Sequence, residues 1–337
     1  MSVASEPAAS KRRSVRSIVL FFAGILLICA AVWAGLRSTA GGSSQPVLLE
    51  ALRTARAQNP LLIAAAFVLP LLNWITVSAG FWVLTAQYGA RERRVGFGEM
   101  AALTGSAWLL NYLPFKAGLI GRVAYHKTVN GVGIADSVRV LAISIAASGV
   151  ATAALIAVAV VVKPGWSPAL AVSLMLAPAL VSGALALWLK TRPGELWRLA
   201  ACLMFRSLDV LVWTARYGVV FALIGRPLTA GQAAAVAGCS QATLVIPLTG
   251  NALGLREWVV GWAASSLPSW FGSAVPGEMA TGLAADLVNR AAEVVVSVVV
   301  GLLCGAAVAR RLAAWKSSHP ALVGDPTIVR NAGESAS

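Results

Sequence analysis

Residues 98–121 read GEMAALTGSAWLLNYLPFKAGLIG, and residues 231–254 read GQAAAVAGCSQATLVIPLTGNALG. The two stretches align without a gap. Gly98, Gly105, Pro114 and Gly121 fall in register with Gly231, Gly238, Pro247 and Gly254. Small residues line both first arms, with Ala101, Ala102 and Ser106 set against Ala234, Ala235 and Cys239. Neither stretch can run through as one smooth helix, because proline lacks a backbone donor and glycine loosens the chain. Each is expected to form a hairpin of two short helices around a break, near Asn111–Gly118 and Ile246–Gly254. A long apolar run precedes each hairpin. Another follows it, opening with an acid and then a base: Asp136 and Arg139 in the first case, Asp286 and Arg290 in the second.

The surroundings of the hairpins are apolar. Of 337 residues, 58% are hydrophobic and 12% charged, against about 25% charged in an ordinary soluble domain. Mean hydropathy is +0.78. Six runs are long enough to cross a hydrocarbon core of roughly 30 Å: Ile18–Leu36, Asn59–Gln87, Asp136–Val162, Ala169–Leu189, Leu199–Ile224 and Met279–Val308. The expected fold is all-α, a polytopic membrane helix bundle. It has about six full spans and two re-entrant helical hairpins, arranged as inverted repeats over about 59–162 and 197–309. Residues 1–17 read as a basic cytoplasmic N-terminus, 18–312 as the membrane domain and 313–337 as a disordered cytoplasmic tail. The first run is read as an uncleaved span, although Val32-Trp33-Ala34 loosely fits a cleavage site.

Charge sets the expected topology. Lys/Arg clusters at 11–16, 91–94, 190–198 and 310–316 belong on one side, the cytoplasm. The runs above satisfy this only if 98–128 and 229–266 each return to the side they entered from. The first hairpin then opens to the cytoplasm and the second to the outside. A multi-pass plasma-membrane protein with both termini cytoplasmic follows.

The net charge of +14 does not point to nucleic acid, because the basic residues flank apolar runs. The expected partners are membrane lipids with anionic headgroups. Cys29, Cys202, Cys239 and Cys304 lie singly in apolar segments, and His126 and His319 are far apart. No metal and no cofactor is expected.

Irregular backbone at membrane depth persists only where it faces protein or a wet cavity. Each break also starts a new half-helix, whose free amides favour an anion. Asn111, Lys116, Arg122 and Arg139 accompany the first break, and Asn251, Arg256, Glu257 and Arg290 the second. These are the candidate binding residues, and a lipid phosphate is the expected ligand. Pro114, Gly118, Pro247 and Gly254 shape the breaks, with Asp136 at the start of the following run. Arg206 and Asp209 stand at i, i+3, and Asp286, Arg290 and Glu293 share one helix face. A charge at the bilayer centre costs at least ~2.5 kcal/mol. Such residues therefore either pair across helices or line a polar pathway, and their spacing leaves both open.

These residues resemble the motifs of the membrane domain of lysylphosphatidylglycerol synthetases, a family of flippase-like integral membrane proteins. The family's first motif is typically Pro-Gly-Arg-Leu-Gly-acid-x-x-Arg. Pro114, Lys116, Gly118 and Arg122 match it by position, with lysine for arginine at Lys116, Phe115 in place of glycine and Leu119 in place of the acid. The second motif resembles Pro-Gly-Gly-Leu-Gly-Val-Arg-Glu. Asn251, Leu253, Gly254, Arg256 and Glu257 cover its latter half, and Gly250 replaces its proline. The resemblance spans about residues 15–312. It implies lipid translocation or handling rather than enzymic activity, since residues 313–337 leave no room for the aminoacyl-transferring domain of some members. The missing acid at Leu119 sets the match apart from recognition of a cationic headgroup.

The leading expectation is an integral membrane flippase-like transporter of a phospho- or polyprenyl-type lipid. The rivals are a non-transporting subunit that scaffolds envelope-synthesis partner proteins, and a membrane enzyme of lipid or envelope synthesis with Glu257 and Glu293 as its only candidate acids.

Overall fold

The computed structural model describes residues 53–54, 59–88, 94–112, 117–162, 165–244, 254–271 and 278–318. Among them are nine α-helices and no strand. In chain order these are α1 (Pro60–Thr85), α2 (Phe97–Leu110), α3 (Ala117–Tyr125), α4 (Ile134–Val161), α5 (Pro168–Lys190), α6 (Leu196–Leu223), α7 (Ala230–Leu244), α8 (Leu255–Phe271) and α9 (Met279–Ser318). A single π turn, His126–Asn130, extends α3 and stops at Gly131, whose φ of 67° is left-handed. The expected first span, and Pro114, Lys116, Pro247, Asn251 and the tail beyond 318, lie outside the described residues.

Four helices are long and apolar enough to cross a membrane: α1, α4, α5 from Ala169, and α9. Their local chemistry explains where they begin. Asn59 caps α1 by accepting from the Leu61 amide at 2.9 Å, and Pro60 follows at a position where its missing donor costs nothing. Ser167 and Pro168 repeat the device at α5. Lipid-facing side chains such as Leu61, Val160, Leu187 and Leu303 are well exposed, as expected of an apolar solvent. The run expected over Leu199–Ile224 is α6. It matches the spans in length but carries Arg198, Arg206, Asp209 and Arg216. The last helix continues to Ser318, so residues 313–318, expected as the start of a tail, are helical.

Side-chain contacts place the helix ends. The end of α1 meets the start of α6, where Arg198 donates to the Val83 carbonyl at 3.0 Å. The start of α2 and the end of α3 lie together at this same end, since the Tyr125 hydroxyl donates to Glu99 at 2.9 Å. The end of α9 joins them through Arg311 and Glu99, 3.6 Å apart. At the opposite end, a methyl group on Gly231 would lie 3.4 Å from Phe271 and 3.5 Å from the Val162 carbonyl. The start of α7, the end of α8 and the end of α4 therefore meet there. Arg94, Lys127, Lys190, Arg192, Arg311 and Lys316 all fall at the first end, and Arg226 at the second.

The packing is reciprocal. The hairpin arm α2 lies on α9, and α7 lies on α4. Both crossings are close because both carry glycine at the same aligned position. A Cβ on Gly105 would sit 2.6 Å from Cys304 Sγ, and one on Gly238 2.6 Å from Ile156 Cγ1. Within the first hairpin Gly118 lets α3 touch α2, for a Cβ there would collide with the Ala107 carbonyl. Helix α6 is the hub and packs on α1, α4, α5, α7 and α9. Its Trp213, Tyr217, Val220 and Phe221 anchor the largest apolar cluster, with Val236, Val260 and Leu267 from α7 and α8.

Candidate functional site

At the heart of the bundle lies a buried network of charges contributed by α6, α8 and α9 and joined by Asn73 of α1. The face shared by Asp286, Arg290 and Glu293 on α9 turns inward, and Asn289 joins it. Glu293 accepts from Arg216 Nη2 at 2.7 Å and from Arg256 Nη1 at 3.4 Å. Arg256 reaches Asp286 through two parallel bonds, Nε to Oδ2 and Nη2 to Oδ1, each 3.1 Å. This fork is the strongest geometry a guanidinium and a carboxylate can adopt. Tyr217 donates to Asp286 Oδ1 at 2.8 Å and meets the Ser240 hydroxyl at 2.7 Å. Arg216 also donates to Asn289 Oδ1 and to Asn73 Oδ1, at 2.8 and 2.9 Å. The Asn73 amide passes on to Asp209 Oδ1 at 2.7 Å. The indole of Trp213 lies under both arginines, with guanidinium carbons 3.9 and 5.1 Å from its ring, so the cations gain a π face in place of water.

Two further pairs complete it. Arg290 donates to Glu257 Oε1 at 3.0 Å, and the other oxygen of Glu257 accepts the Gly254 amide at 2.7 Å. Gly254 has φ of 84°, so Glu257 ties down the left-handed entry into α8. Arg206 stands 3.8 Å from Asp209 and donates to the Ser144 hydroxyl. Each of the buried arginines Arg206, Arg216, Arg256 and Arg290 thus faces a buried carboxylate: Asp209, Glu293, Asp286 and Glu257 respectively. Removing charges from water is costly unless they are paired and hydrogen-bonded, and here they are both.

This arrangement bears on the expected site residues. Arg256, Arg290 and Glu257 lie together with Asp286 and Glu293, and their polar atoms meet one another. Asp209 and Arg206 adjoin the same network through Asn73. Asp136 and Arg139 lie apart, as an exposed pair 3.5 Å apart at the start of α4. Asn111 follows α2, and its side-chain oxygen is buried without a hydrogen-bond partner. Arg122 is on α3, with its guanidinium carbon 3.8 Å over the Phe81 ring. Gly118 and Gly254 act through backbone, as described. Arg216, Asn289, Tyr217 and Asn73 were not among the expected site residues. Arg216 stands in an apolar run just as Arg206 does, and that signal could have found it. The others emerge only once helices pack. Among the described residues no group of His, Cys, Asp and Glu side chains has the makings of a metal site. No family model, no curated protein and no solved structure matches the chain.

Proposed function

We propose that this chain is an integral membrane transporter of flippase type, moving a phosphate-bearing lipid by alternating exposure of two inverted hairpins. The observation that carries the reading is the reciprocal packing. Helix α2 lies on α9 and α7 on α4, while the hairpin α2–α3 opens at one end of the bundle and α7–α8 at the other. Interchanging α1–α4 with α6–α9 converts each of these contacts into its counterpart and leaves the α1–α6 contact in place. Inverted halves with discontinuous helices are how many transporters build a site reachable from either side. The neutral central network supports the same reading, since two halves cemented by paired charges can rock without exposing an isolated ion to lipid. The basic residues at the first end favour its placement in the cytoplasm, with the chain in the plasma membrane. The likeness to the membrane domain of lysylphosphatidylglycerol synthetases belongs to this proposal, and its motif residues Gly118, Arg122, Gly254, Arg256 and Glu257 fall on the two hairpins.

The test is reconstitution in liposomes with a headgroup-labelled phospholipid. Transfer of unmodified label between leaflets, faster than in protein-free vesicles, is the expected result. Chemical turnover of the lipid would favour the enzyme, and a rate equal to that of empty vesicles would leave the scaffold.

A further inference from the structure

A half-buried basic side chain on the first hairpin has no carboxylate among the described residues. Among the described residues Arg122 of α3 makes no hydrogen bond or ion pair; its guanidinium stacks on Phe81. The guanidinium of Arg206 lies 4.9 Å from the same ring and is answered by Asp209. Two cations therefore flank one ring with one carboxylate between them, and a positive charge is left over. Beside it is a small cleft, lined by Phe81 and Thr85 of α1, Arg122 of α3, His126 of the π turn and Ser137 of α4.

Ser137 supplies a second, independent sign. The residue is 9% exposed, and its hydroxyl oxygen is buried with no hydrogen-bond partner. Helical serines ordinarily turn their hydroxyl onto a carbonyl three or four residues back, as Ser148 and Ser182 do here. Ser137 does not, and a buried hydroxyl left unmade costs free energy. His126 is held through Nδ1 by Asn130 at 3.1 Å, which leaves Nε2 uncommitted. The nearby carboxylates are engaged elsewhere: Glu99 with Tyr125, Asn130 and Arg311, and Asp136 with Arg139 on the surface.

We infer that the Arg122–Ser137 cleft binds a phosphate-type oxyanion, with the Arg122 guanidinium as counter-charge and the Ser137 and Thr85 hydroxyls as donors. A guanidinium fork and hydroxyls match the tetrahedral oxygens of phosphate. The cleft sits where α1 ends and α4 begins, at the end of the bundle that gathers the basic residues, which is the depth of a lipid headgroup. This deepens the proposed function and rests on it for the lipid as source. Free inorganic phosphate presents the same chemistry.

The test uses the purified full chain in nanodiscs doped with phosphatidic acid or with diacylglycerol of the same tails, and lipid retained after extraction is read by native mass spectrometry. The expected result is retention of phosphatidic acid over diacylglycerol, reduced ten-fold or more by Arg122→Gln, several-fold by Ser137→Ala, and only partly by Arg122→Lys. A parallel titration with inorganic phosphate separates the sources. Arg122-dependent phosphate binding without phosphatidic acid retention supports the oxyanion site with free phosphate as ligand. Equal retention by wild type and folded Arg122→Gln, or of both lipids by wild type, overturns the inference, as does failure of both probes to bind. If Arg122→Gln does not fold, Ser137→Ala decides, since it removes a hydroxyl that bonds to nothing. Arg122-dependent binding in a protein that moves no lipid sinks the transport reading alone. Transport undiminished by Arg122→Gln, with no loss of binding, sinks this one alone.

Discussion

Glu293 is the point at which the central network is most exposed to a single change. Its carboxylate serves Arg216 at 2.7 Å and Arg256 at 3.4 Å, and takes the Tyr112 hydroxyl at 3.3 Å. At an effective dielectric of 20 the two contacts represent about 6 and about 5 kcal/mol of gross attraction, most of it offset by the desolvation of the ions. What decides the outcome of Glu293→Gln is the charge left behind. The amide keeps the shape and an acceptor for Tyr112, but the network acquires one uncompensated cation in a place without water. Breaking a buried pair in this way costs about 3–5 kcal/mol, a large part of a typical total stability of about 5–15 kcal/mol. Removing Arg216 as well restores neutrality, because Arg256 keeps its fork on Asp286. Equilibrium unfolding in mixed micelles should therefore find Glu293→Gln/Arg216→Gln less destabilised than the sum of the single variants, with a coupling near the upper end of the usual range of about 0.5–3 kcal/mol. Single costs that add to within about 0.5 kcal/mol would show that the two side chains do not depend on one another, and the network as described here would fall.

Two further expectations concern the frame. Gly238→Ala places a methyl 2.6 Å from Ile156 Cγ1, and overpacking of this kind costs about 1–3 kcal/mol. Ile156→Ala, at a side chain 38% exposed, should rescue it in the double variant, whereas Gly121→Ala, with nothing within 4 Å, should be silent in the same unfolding assay. The second expectation is topological. With Cys29, Cys202, Cys239 and Cys304 replaced, single cysteines at Thr128 and Ser317 should label from one side of sealed vesicles with a membrane-impermeant maleimide, and those at Ser167 and Arg226 from the other; labelling of all four from one side would remove the through-running course of α4 and α9.

The membrane helices were legible because lipid demands long apolar runs, and four of the six expected runs return as helices that pass the test of length and composition. The expected return of each hairpin rested on a different argument: parity. Charged clusters that must share a side leave a hairpin no choice but to return. The glycine register was only half informative. Gly105 and Gly238 do the same work, admitting α9 and α4 respectively, but Gly254 is left-handed while Gly121 lies within α3 with open space around it. Equal spacing in the sequence marks equal positions, not equal duties.

Charge partners were the least legible feature. Asp286 and Arg290 are spaced at i, i+4, the interval of a local ion pair, and the periodicity correctly put them on one face with Glu293. Yet Asp286 pairs with Arg256 and Arg290 with Glu257, both from α8. The reason is geometric. In lipid a charge on a helix face cannot spread to water, and it is held best by the helix that packs against that face. Spacing along one helix tells which way a side chain points and says nothing of what waits there. The same logic separates the two kinds of arginine in this bundle. Arg256 belongs to a closed account of four cations and four anions, so a ligand there would have to displace a carboxylate. Arg122 looked identical in the sequence, basic and next to a break, and differs in that the acids of the helices beside it, Glu99 and Asp136, are engaged elsewhere. An anion arriving at Arg122 displaces nothing, and that difference is why the proposed oxyanion site lies at the first hairpin.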